Sequence, residues 1–269
     1  MQLQHQDQEG RCISKRTYSQ WSASNSLTLK TGVPIVGLSQ LSRLAELAID
    51  SFFPRHCIGC GRVGSFLCPD CRRKLPRLLL PLCPKCGRPQ ASGILCPTCR
   101  QLQSKIDGIR SPFRFDEAMR KAVHQLKYQN LKAISFCLAE LLADYLRSNP
   151  LPGEVLVPVP LHPRRLRERG YNQASLLARE LGKLTNLPVI EDCLIRVKEA
   201  EPQVKTSNIE ERWRNVANAF ACRNGKVSNK QIILIDDVCT SGATLESCAS
   251  ALKSGGAISV WGLTLAREI

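Results

Sequence analysis

Long apolar segments are missing from this sequence. No stretch approaches the roughly 20 consecutive apolar residues that a membrane-spanning helix requires. The first residues, up to about position 35, contain no long apolar segment of the kind found in secretory signals. The basic, serine-rich run Ser14–Lys30 leaves open a transit-type segment or a non-native start. We therefore expect a soluble, cytoplasmic protein with no membrane insertion.

Aromatic and acidic residues are also scarce. Aromatic residues make up 5% of the chain, which leaves few side chains for stacking on nucleic-acid bases. Lysine and arginine number 38 against 23 acidic residues, for a net charge of +15. This excess favours polyanionic partners, although charge scattered over the surface would also explain it. Any binding of nucleic acid would depend on phosphate contacts and would weaken steeply with salt.

Length and composition divide the chain into three parts. Its 269 residues allow one substantial core plus a smaller module. Residues 1–36 are polar and unperiodic, which predicts a poorly ordered extension. Residues 37–103 combine a short amphipathic helix with a cysteine-rich module, and residues 104–269 have the pattern of a larger α/β domain.

Eight of the 14 cysteines form four CxxC pairs. Two residues between cysteines allow a tight turn to direct both thiolates at one ion, and two such turns complete the tetrahedral shell of zinc. The spacing predicts structural zinc in a double-zinc-ribbon-like module, and leaves open one or two ions and the pairing order. A redox CxxC, an iron–sulfur cluster and His56 as a substitute ligand are the alternatives. The predicted ligands are Cys57, Cys60, Cys68, Cys71, Cys83, Cys86, Cys96 and Cys99.

Apolar runs and helical periodicities alternate after residue 104. We predict strands over Ile109–Phe115, Glu154–Pro160, Gln231–Ile235 and Ile258–Leu265, and helices over Glu117–Tyr128, Ile134–Leu146, Asn172–Leu184 and Ala243–Lys253. Continuous apolar strands that alternate with helices are typical of a parallel sheet covered by helices. The charged stretch 198–215 lacks a core pattern and is predicted to be a mobile loop.

The run Ile232–Thr244, IILIDDVCTSGAT, has the composition of a phosphate-binding turn. Gly242 and Ala243 allow the backbone to approach a phosphate, amides at the helix start point toward it, and three hydroxyls add donors. Asp236 and Asp237 are expected just outside the end of the strand, where ligands of open α/β sheets bind. The chain has no Walker A motif, which argues against an ATPase. The hydroxyls belong to Thr240, Ser241 and Thr244.

This run resembles the ribose-phosphate signature of type I phosphoribosyltransferases. The likeness implies that the turn holds the 5-phosphate of phosphoribosyl pyrophosphate, with Mg²⁺, and that the catalytic carboxylates of Asp236 and Asp237 contact the ribose hydroxyls. The run Pro158–Ala174, PVPLHPRRLRERGYNQA, together with the paired cysteines, resembles the ComF family, which is linked to DNA uptake in naturally competent bacteria.

The family likeness implies further roles. The loop Pro160–His162 would face pyrophosphate, and residues 198–215 would form a hood over the substrate. Arg164, Arg165, Arg167 and Arg169 form a cluster that could neutralise pyrophosphate or a DNA backbone, or could be a solvated helix start. Tyr171 and Asn172 could cap the next helix instead of contacting ligand. The predicted pyrophosphate or DNA contacts are His162, Arg164, Arg165, Arg169 and Lys127.

These features together predict a protein that binds single-stranded DNA and a phosphoribosyl pyrophosphate-type ligand during DNA uptake, with a competence helicase as the partner that the family likeness implies. An active, Mg²⁺-dependent phosphoribosyltransferase with an unidentified acceptor is the alternative, and a sensor of phosphoribosyl pyrophosphate is a third. The sequence contains no motif that names an acceptor.

Overall fold

The computed structural model describes residues 54–128, 133–197, 218–223 and 225–269. The predicted extension 1–36, the short helix that follows it and the loop 198–215 lie outside the described residues. All the described residues belong to one compact unit, Asp50–Ile269. No helix in these ranges is long and apolar enough to cross a membrane.

The cysteine-rich module has little regular structure. Its two short helices each begin directly after a cysteine and carry proline in their first turn, where the missing N–H costs nothing. They are α1 (Pro69–Arg73) and α2 (Pro97–Gln101).

The α/β region begins at residue 108 and follows the predicted alternation. Its strands are β1 (Gly108–Arg110), β2 (Phe113–Arg114), β3 (Val155–Pro158), β4 (Leu194–Arg196), β5 (Phe220–Cys222), β6 (Gln231–Cys239) and β7 (Ser259–Arg267). Its helices are α3 (Glu117–Tyr128), α4 (Ile134–Ser148), α5 (Pro163–Arg169), α6 (Gln173–Thr185) and α7 (Ala243–Ser254).

The main sheet is parallel, with strand order β1-β7-β6-β3 and with β2 also paired to β7. This confirms the predicted architecture of a parallel sheet flanked by helices. Strands β4 and β5 form a separate antiparallel pair. The predicted strand Ile109–Phe115 is instead two short strands, because Pro112 lies between them and has no N–H to donate to a ladder.

The apolar run at the start of β6 is buried on both faces of the sheet. Ile233 and Ile235 pack into a cluster with α3, α4 and α6. Ile232 and Leu234 pack into a second cluster with α7 and the β4–β5 pair. A strand covered on both sides has no polar face, which explains why the sequence IILI shows no alternation.

The cysteine-rich module packs against the sheet. Leu67 and Leu75 join the first apolar cluster, where they are 7% exposed. The Ile109 N–H donates to the Lys85 carbonyl at 2.7 Å. Gly87 lies so close to this strand that a Cβ there would be 2.5 Å from the Ile109 carbonyl oxygen. The module and the α/β region therefore share one packed interface.

Candidate functional site

The eight predicted cysteine ligands gather into two groups of four. In each group the sulfurs all lie within 4.8 Å of one another. The Sγ atoms of Cys60 and Cys68 are 3.7 Å apart, as are those of Cys86 and Cys96. A tetrahedral ion with Zn–S bonds of about 2.3 Å separates its sulfurs by about 3.8 Å, so both groups fit zinc. The first set is Cys57, Cys60, Cys68 and Cys71, and the second is Cys83, Cys86, Cys96 and Cys99.

This grouping settles the pairing that the spacing left open, because consecutive CxxC pairs share a set. His56 is in neither set, and its Nδ1 lies 3.2 Å from the Gly61 carbonyl oxygen. Gly61 and Gly87 each follow a CxxC pair with φ of 75° and 72°. Glycine adopts this left-handed conformation without steric cost, which permits the tight turn after each pair.

Backbone amides prepare the first cysteine of each set to ionise. Burial raises the pKa of the Cys57 thiol, but N–H donors led by Cys68 outweigh burial and lower the pKa to about 6. Cys83 has the same arrangement, with the Cys96 N–H 3.4 Å from its sulfur and a pKa of about 6. The hydrogen bond with the Cys68 thiol and burial raise the pKa of Cys71 to about 12. Four thiolates can therefore coexist in a set only around a cation, and with four sulfur ligands that cation is a structural zinc.

The phosphate turn lies where β6 extends beyond its neighbour. Pairing of β6 with β3 stops at Ile235, whereas pairing with β7 continues to Cys239. Asp236 and Asp237 were expected outside the strand, but they lie within it. The expectation was wrong because β7 continues to pair with this segment after β3 ends. Both residues still lie beyond the end of β3, at the carboxyl edge of the sheet where ligands bind.

The turn itself runs from Thr240 to Gly242 and opens directly into α7. Gly242 caps the helix with φ 86°, and the Ala243 N–H donates to Ser241 Oγ at 3.3 Å. The side chains of Thr240, Ser241 and Thr244 are partly exposed. The first N–H groups of α7 point out of the helix at this edge, in the arrangement that binds anions.

Lys127 lies against the acidic pair. Its Nζ is 2.6 Å from Asp237 Oδ2, and the two side chains are 24% and 6% exposed. The Asp237 N–H donates to Asp236 Oδ1 at 2.8 Å. Burial and the neighbouring charge of Asp237 raise the pKa of Asp236 to about 8. The site thus places one cation and two interacting carboxyl groups beside the phosphate turn.

The arginine-rich helix α5 begins at the same edge. The Val159 N–H donates to the Ile235 carbonyl at 2.9 Å, so the loop Pro160–His162 leaves the sheet beside the acidic pair. His162 caps α5, and its Nδ1 accepts the Arg164 N–H at 3.3 Å. Two members of the cluster have contacts along the chain: Arg164 with Glu168 at 3.1 Å, and Arg169 with Gln173 at 3.1 Å. The side chains of Arg164, Arg165 and Arg167 are exposed.

Tyr171 and Asn172 have structural contacts. Asn172 caps α6 by accepting the Ala174 N–H at 3.0 Å, and it donates to the Val159 carbonyl at 2.9 Å. The capping interpretation is therefore confirmed for Asn172. The Tyr171 hydroxyl donates to the Leu126 carbonyl at 2.5 Å, one residue before Lys127. Tyr171 thereby fixes the end of α3 that presents Lys127 to the acidic pair.

Sequence comparisons agree with this architecture. Residues 48–100 match the family model of the double zinc ribbon domain. Competence protein ComFC of Bacillus subtilis is 33% identical over 210 residues, which cover 75% of this chain and 84% of that protein. Competence protein F of Haemophilus influenzae is 31% identical over 230 residues, which cover 80% and 99%.

The chain belongs to the ComF family. A further relative, DNA utilization protein YhgH of Salmonella typhi, is 32% identical over 203 residues, which cover 72% of this chain and 88% of that protein. Similar solved structures include glutamine phosphoribosylpyrophosphate amidotransferase of B. subtilis, at 16% identity, 53% and 30% coverage and a TM-score of 0.38. Adenine phosphoribosyltransferase of Leishmania tarentolae is 17% identical, with 51% and 71% coverage and a TM-score of 0.32. These TM-scores are low, so the family assignment rests on the sequence relatives.

One residue of this ComF site has no counterpart in the sequence predictions. The carboxylate of Glu246, in the first turn of α7, accepts the Ser104 hydroxyl at 2.5 Å and the N–H groups of Lys105 and Ile106 at 2.6 and 3.1 Å. It fastens the segment before β1 to the helix that carries the phosphate turn. In the sequence, Glu246 is one more acidic residue near a helix start, a position common for solvent-exposed glutamate.

Proposed function

We propose that this ComF protein binds a phosphoribosyl pyrophosphate-type ligand at the turn after β6 and single-stranded DNA beside it, and acts in DNA uptake in the cytoplasm. The observation that carries the proposal is the convergence of three features at one edge of the sheet. These are the phosphate turn, the acidic pair with Lys127, and the exposed arginines of α5. Relatives named as competence and DNA utilization proteins support the same role.

The ligand site suits a ribose phosphate. A 5-phosphate would accept hydrogen bonds from the first N–H groups of α7 and from the hydroxyls of the turn. The carboxyl groups of Asp236 and Asp237 would contact the ribose hydroxyls. Carboxylate oxygens also suit Mg²⁺, which commonly binds through one or two carboxylates and the phosphates of a substrate. Because Asp237 already faces Lys127 at 2.6 Å, Asp236 and the pyrophosphate of the ligand would hold most of that ion.

The DNA site would depend on charge more than on stacking. Arg164, Arg165 and Arg167 are exposed on α5 and can reach phosphates of a single strand. Aromatic residues are only 5% of the chain, so few bases can stack on this protein. Affinity should therefore fall steeply as salt rises and should vary little with base sequence.

Calorimetry tests the ligand site directly. The full chain is titrated with phosphoribosyl pyrophosphate in the presence and absence of Mg²⁺, and compared with the Asp236→Asn/Asp237→Asn variant. We expect binding to weaken at least about tenfold, because charge-assisted contacts contribute about 1.5–3 kcal/mol each. The matched control is Asp192→Asn, an exposed carboxylate that pairs with Lys226 at 2.5 Å. Equal affinity in both variants would contradict the proposed site.

Fluorescence anisotropy of a labelled oligo(dT) tests the DNA site across a salt titration. We expect the triple variant Arg164→Gln/Arg165→Gln/Arg167→Gln to bind weakly. Its slope of log K against log salt should fall by about 2, since each phosphate contact on a single strand contributes about 0.7.

The matched control removes the same charge from exposed lysines that pair with acids elsewhere, Lys121, Lys183 and Lys226. The control should bind DNA more tightly than the α5 variant. If the two triple variants lose affinity equally, general surface charge and not α5 binds the DNA.

An active transferase is the second candidate. The retention of both carboxylates next to an intact phosphate turn favours it, since phosphate binding alone does not require an acidic pair. Release of pyrophosphate from phosphoribosyl pyrophosphate, measured with a panel of bases, separates the two. Rapid release with one base, together with no DNA binding at moderate salt, would make the transferase the better-supported function.

A further inference from the structure

Arg267, the last residue of β7, is a buried arginine that the proposed function does not use. It is 1% exposed. Its Nη1 donates to Cys239 Sγ at 2.9 Å. Its Nε and Nη2 are buried without a hydrogen-bond partner. Within the ranges that the structure describes, no carboxylate forms an ion pair with it.

This arrangement requires a compensating charge. A buried guanidinium that has no counter-charge, and in which two of the three nitrogens lack a hydrogen-bond partner, is strongly destabilising. Cys239 does not supply that charge, because burial raises the pKa of its thiol to about 11 and keeps it neutral at physiological pH. The negative charge must come from another group close to Arg267.

The second cysteine set is the group close to Arg267 that can carry this negative charge. Arg267 lines a cavity of about 40 Å³ together with Cys86, Cys96, Cys99 and Glu246. The Glu246 carboxylate instead accepts hydrogen bonds from Ser104, Lys105 and Ile106, and among the described residues it forms no ion pair with Arg267. The backbone holds this wall of the cavity in place: β1 pairs with β7, and the Ile109 N–H donates to the Lys85 carbonyl at 2.7 Å. The sheet therefore holds Arg267 at the wall of the cavity that these cysteines also line.

With zinc bound, the four thiolates of this set would supply the negative charge that balances Arg267. Four thiolates around one Zn²⁺ would carry two net negative charges, in a set of two buried and two partly buried cysteines. The first set has a different environment. Arg72, which follows Cys71, is 31% exposed at its side chain and already pairs with Asp144 and Glu140. Near the second set, by contrast, the arginine is buried and forms no ion pair with a carboxylate of the described residues.

We infer that Arg267 is the buried counter-cation of the second zinc–thiolate centre and strengthens zinc binding there. Through Cys239 the same side chain reaches the phosphate turn, because a Cβ on Gly242 would lie 3.9 Å from the Cys239 sulfur. This role does not depend on the ligand or DNA binding proposed above, since it concerns the metal alone.

The test follows zinc release from the full chain into a colorimetric chelator at fixed pH. A Cys99→Ser variant, which breaks the second set, identifies the kinetic phase that belongs to that set. We expect Arg267→Met to release the zinc of the second set about tenfold faster, which is the size of effect seen for other residues that support metal ligands indirectly. The phase that belongs to the first set should be unchanged. Arg72→Met, beside the first set, is the matched control and should leave the release of zinc from the second set unchanged.

A substitution that keeps the positive charge at position 267 distinguishes a counter-cation from a side chain that only fills space. Arg267→Lys should release the second zinc within about threefold of the wild-type rate, whereas Arg267→Gln should behave like Arg267→Met. If Arg267 only filled space, methionine would be tolerated and lysine would release zinc no more slowly than glutamine. Equal second-phase rates for Lys and Gln would overturn the inference, even if Arg267→Met fails to fold.

Discussion

The ion pair between Lys127 and Asp237 supports the sharpest test of the site. The two atoms are 2.6 Å apart and the side chains are 24% and 6% exposed, so replacing the lysine leaves a buried carboxylate without its cation. Breaking a buried pair in this way costs about 3–5 kcal/mol, and the partial exposure of Lys127 favours the lower end. For a unit of this size, about 3 kcal/mol corresponds to a fall in Tm of about 6–12 °C. We therefore predict that Lys127→Met is destabilised by about 3 kcal/mol.

Urea unfolding of the zinc-loaded full chain, followed by circular dichroism, measures this loss. The double variant Lys127→Met/Asp237→Asn should recover most of the stability, because the uncompensated charge is then absent. The coupling energy from the double-mutant cycle should be about 2 kcal/mol. A Lys127→Met variant with the wild-type midpoint, or a cycle without coupling, would refute the reasoning.

The same variant should respond to pH in a defined direction. Burial and Asp237 raise the pKa of Asp236 from 3.8 to about 8, and the charge of Lys127 opposes this rise. The folded state therefore binds more protons than the unfolded state between these values, and stability falls as pH rises through this window. Without Lys127 the pKa of Asp236 rises further. The deficit of Lys127→Met should accordingly be larger at pH 8 than at pH 5.

Three further predictions concern stability and metal content. Asp236→Asn should raise the urea midpoint at pH 8 and raise it less at pH 5, because it removes a carboxylate whose ionisation burial opposes; an equal effect at both pH values would argue against the raised pKa. Glu246→Gln should lose about 2 kcal/mol, because its carboxylate accepts three hydrogen bonds, whereas Glu117→Gln, 84% exposed at its side chain, should change stability by less than about 0.5 kcal/mol. Thiol modification should release two zinc ions per chain and reduce the cooperativity of unfolding, because Leu67 and Leu75 belong to the apolar cluster of the sheet; retention of full cooperativity would show that the module unfolds independently.

The fold followed from local sequence signals to a large extent. The IILI run predicted a strand buried on both faces, and the structure places Ile232 and Ile233 in opposite clusters. The helix predicted over Glu117–Tyr128 has those bounds in the structure. Strand ends were less accurate, because the length of β6 depends on which neighbour continues to pair with it. That neighbour is β7, whose residues lie 28 positions after the β6 residues with which they pair.

Some parts of the candidate site were likewise predictable from the sequence, and others were not. The gathering of the paired cysteines and the turn that opens a helix after β6 were predictable, because each depends on a short, contiguous motif. The contacts of Lys127, Glu246 and Arg267 were not, because each joins residues that are distant in sequence. Lys127 was expected at pyrophosphate or DNA, and the structure shows it against Asp237. A single basic or acidic residue carries no sequence signal for such a partner, which is 28 residues away for Arg267 and more than 100 residues away for Lys127 and Glu246.

The charges at this edge of the sheet also bear on how a ligand can enter. The turn from Thr240 to Gly242 favours an anion, yet Asp236 and Asp237 lie shortly before it in β6 and would repel one. Lys127 compensates one carboxylate, and the raised pKa of Asp236 means that the other accepts a proton more readily than usual. Under the proposed function, two states of Asp236 could therefore receive a phosphorylated ribose. The protonated carboxyl group would donate a hydrogen bond, and the ionised group would bind a divalent cation that accompanies the pyrophosphate.

Proton release on binding distinguishes these two states of Asp236. Because Mg²⁺ binds the ionised form, at pH 6 the cation must displace the proton, whereas at pH 9 the carboxylate is already ionised. Mg²⁺ should therefore strengthen ligand binding less at pH 6 than at pH 9. Calorimetry in buffers of different ionisation enthalpy measures the proton directly. The phosphates of the ligand, with a second pKa of about 6, also release protons when they bind Mg²⁺, so Asp236→Asn is titrated in parallel. The wild-type protein should release about one proton more than this variant at pH 6 and almost none more at pH 9. Equal release by the two proteins at both pH values would show that Asp236 does not change its ionisation when the ligand binds.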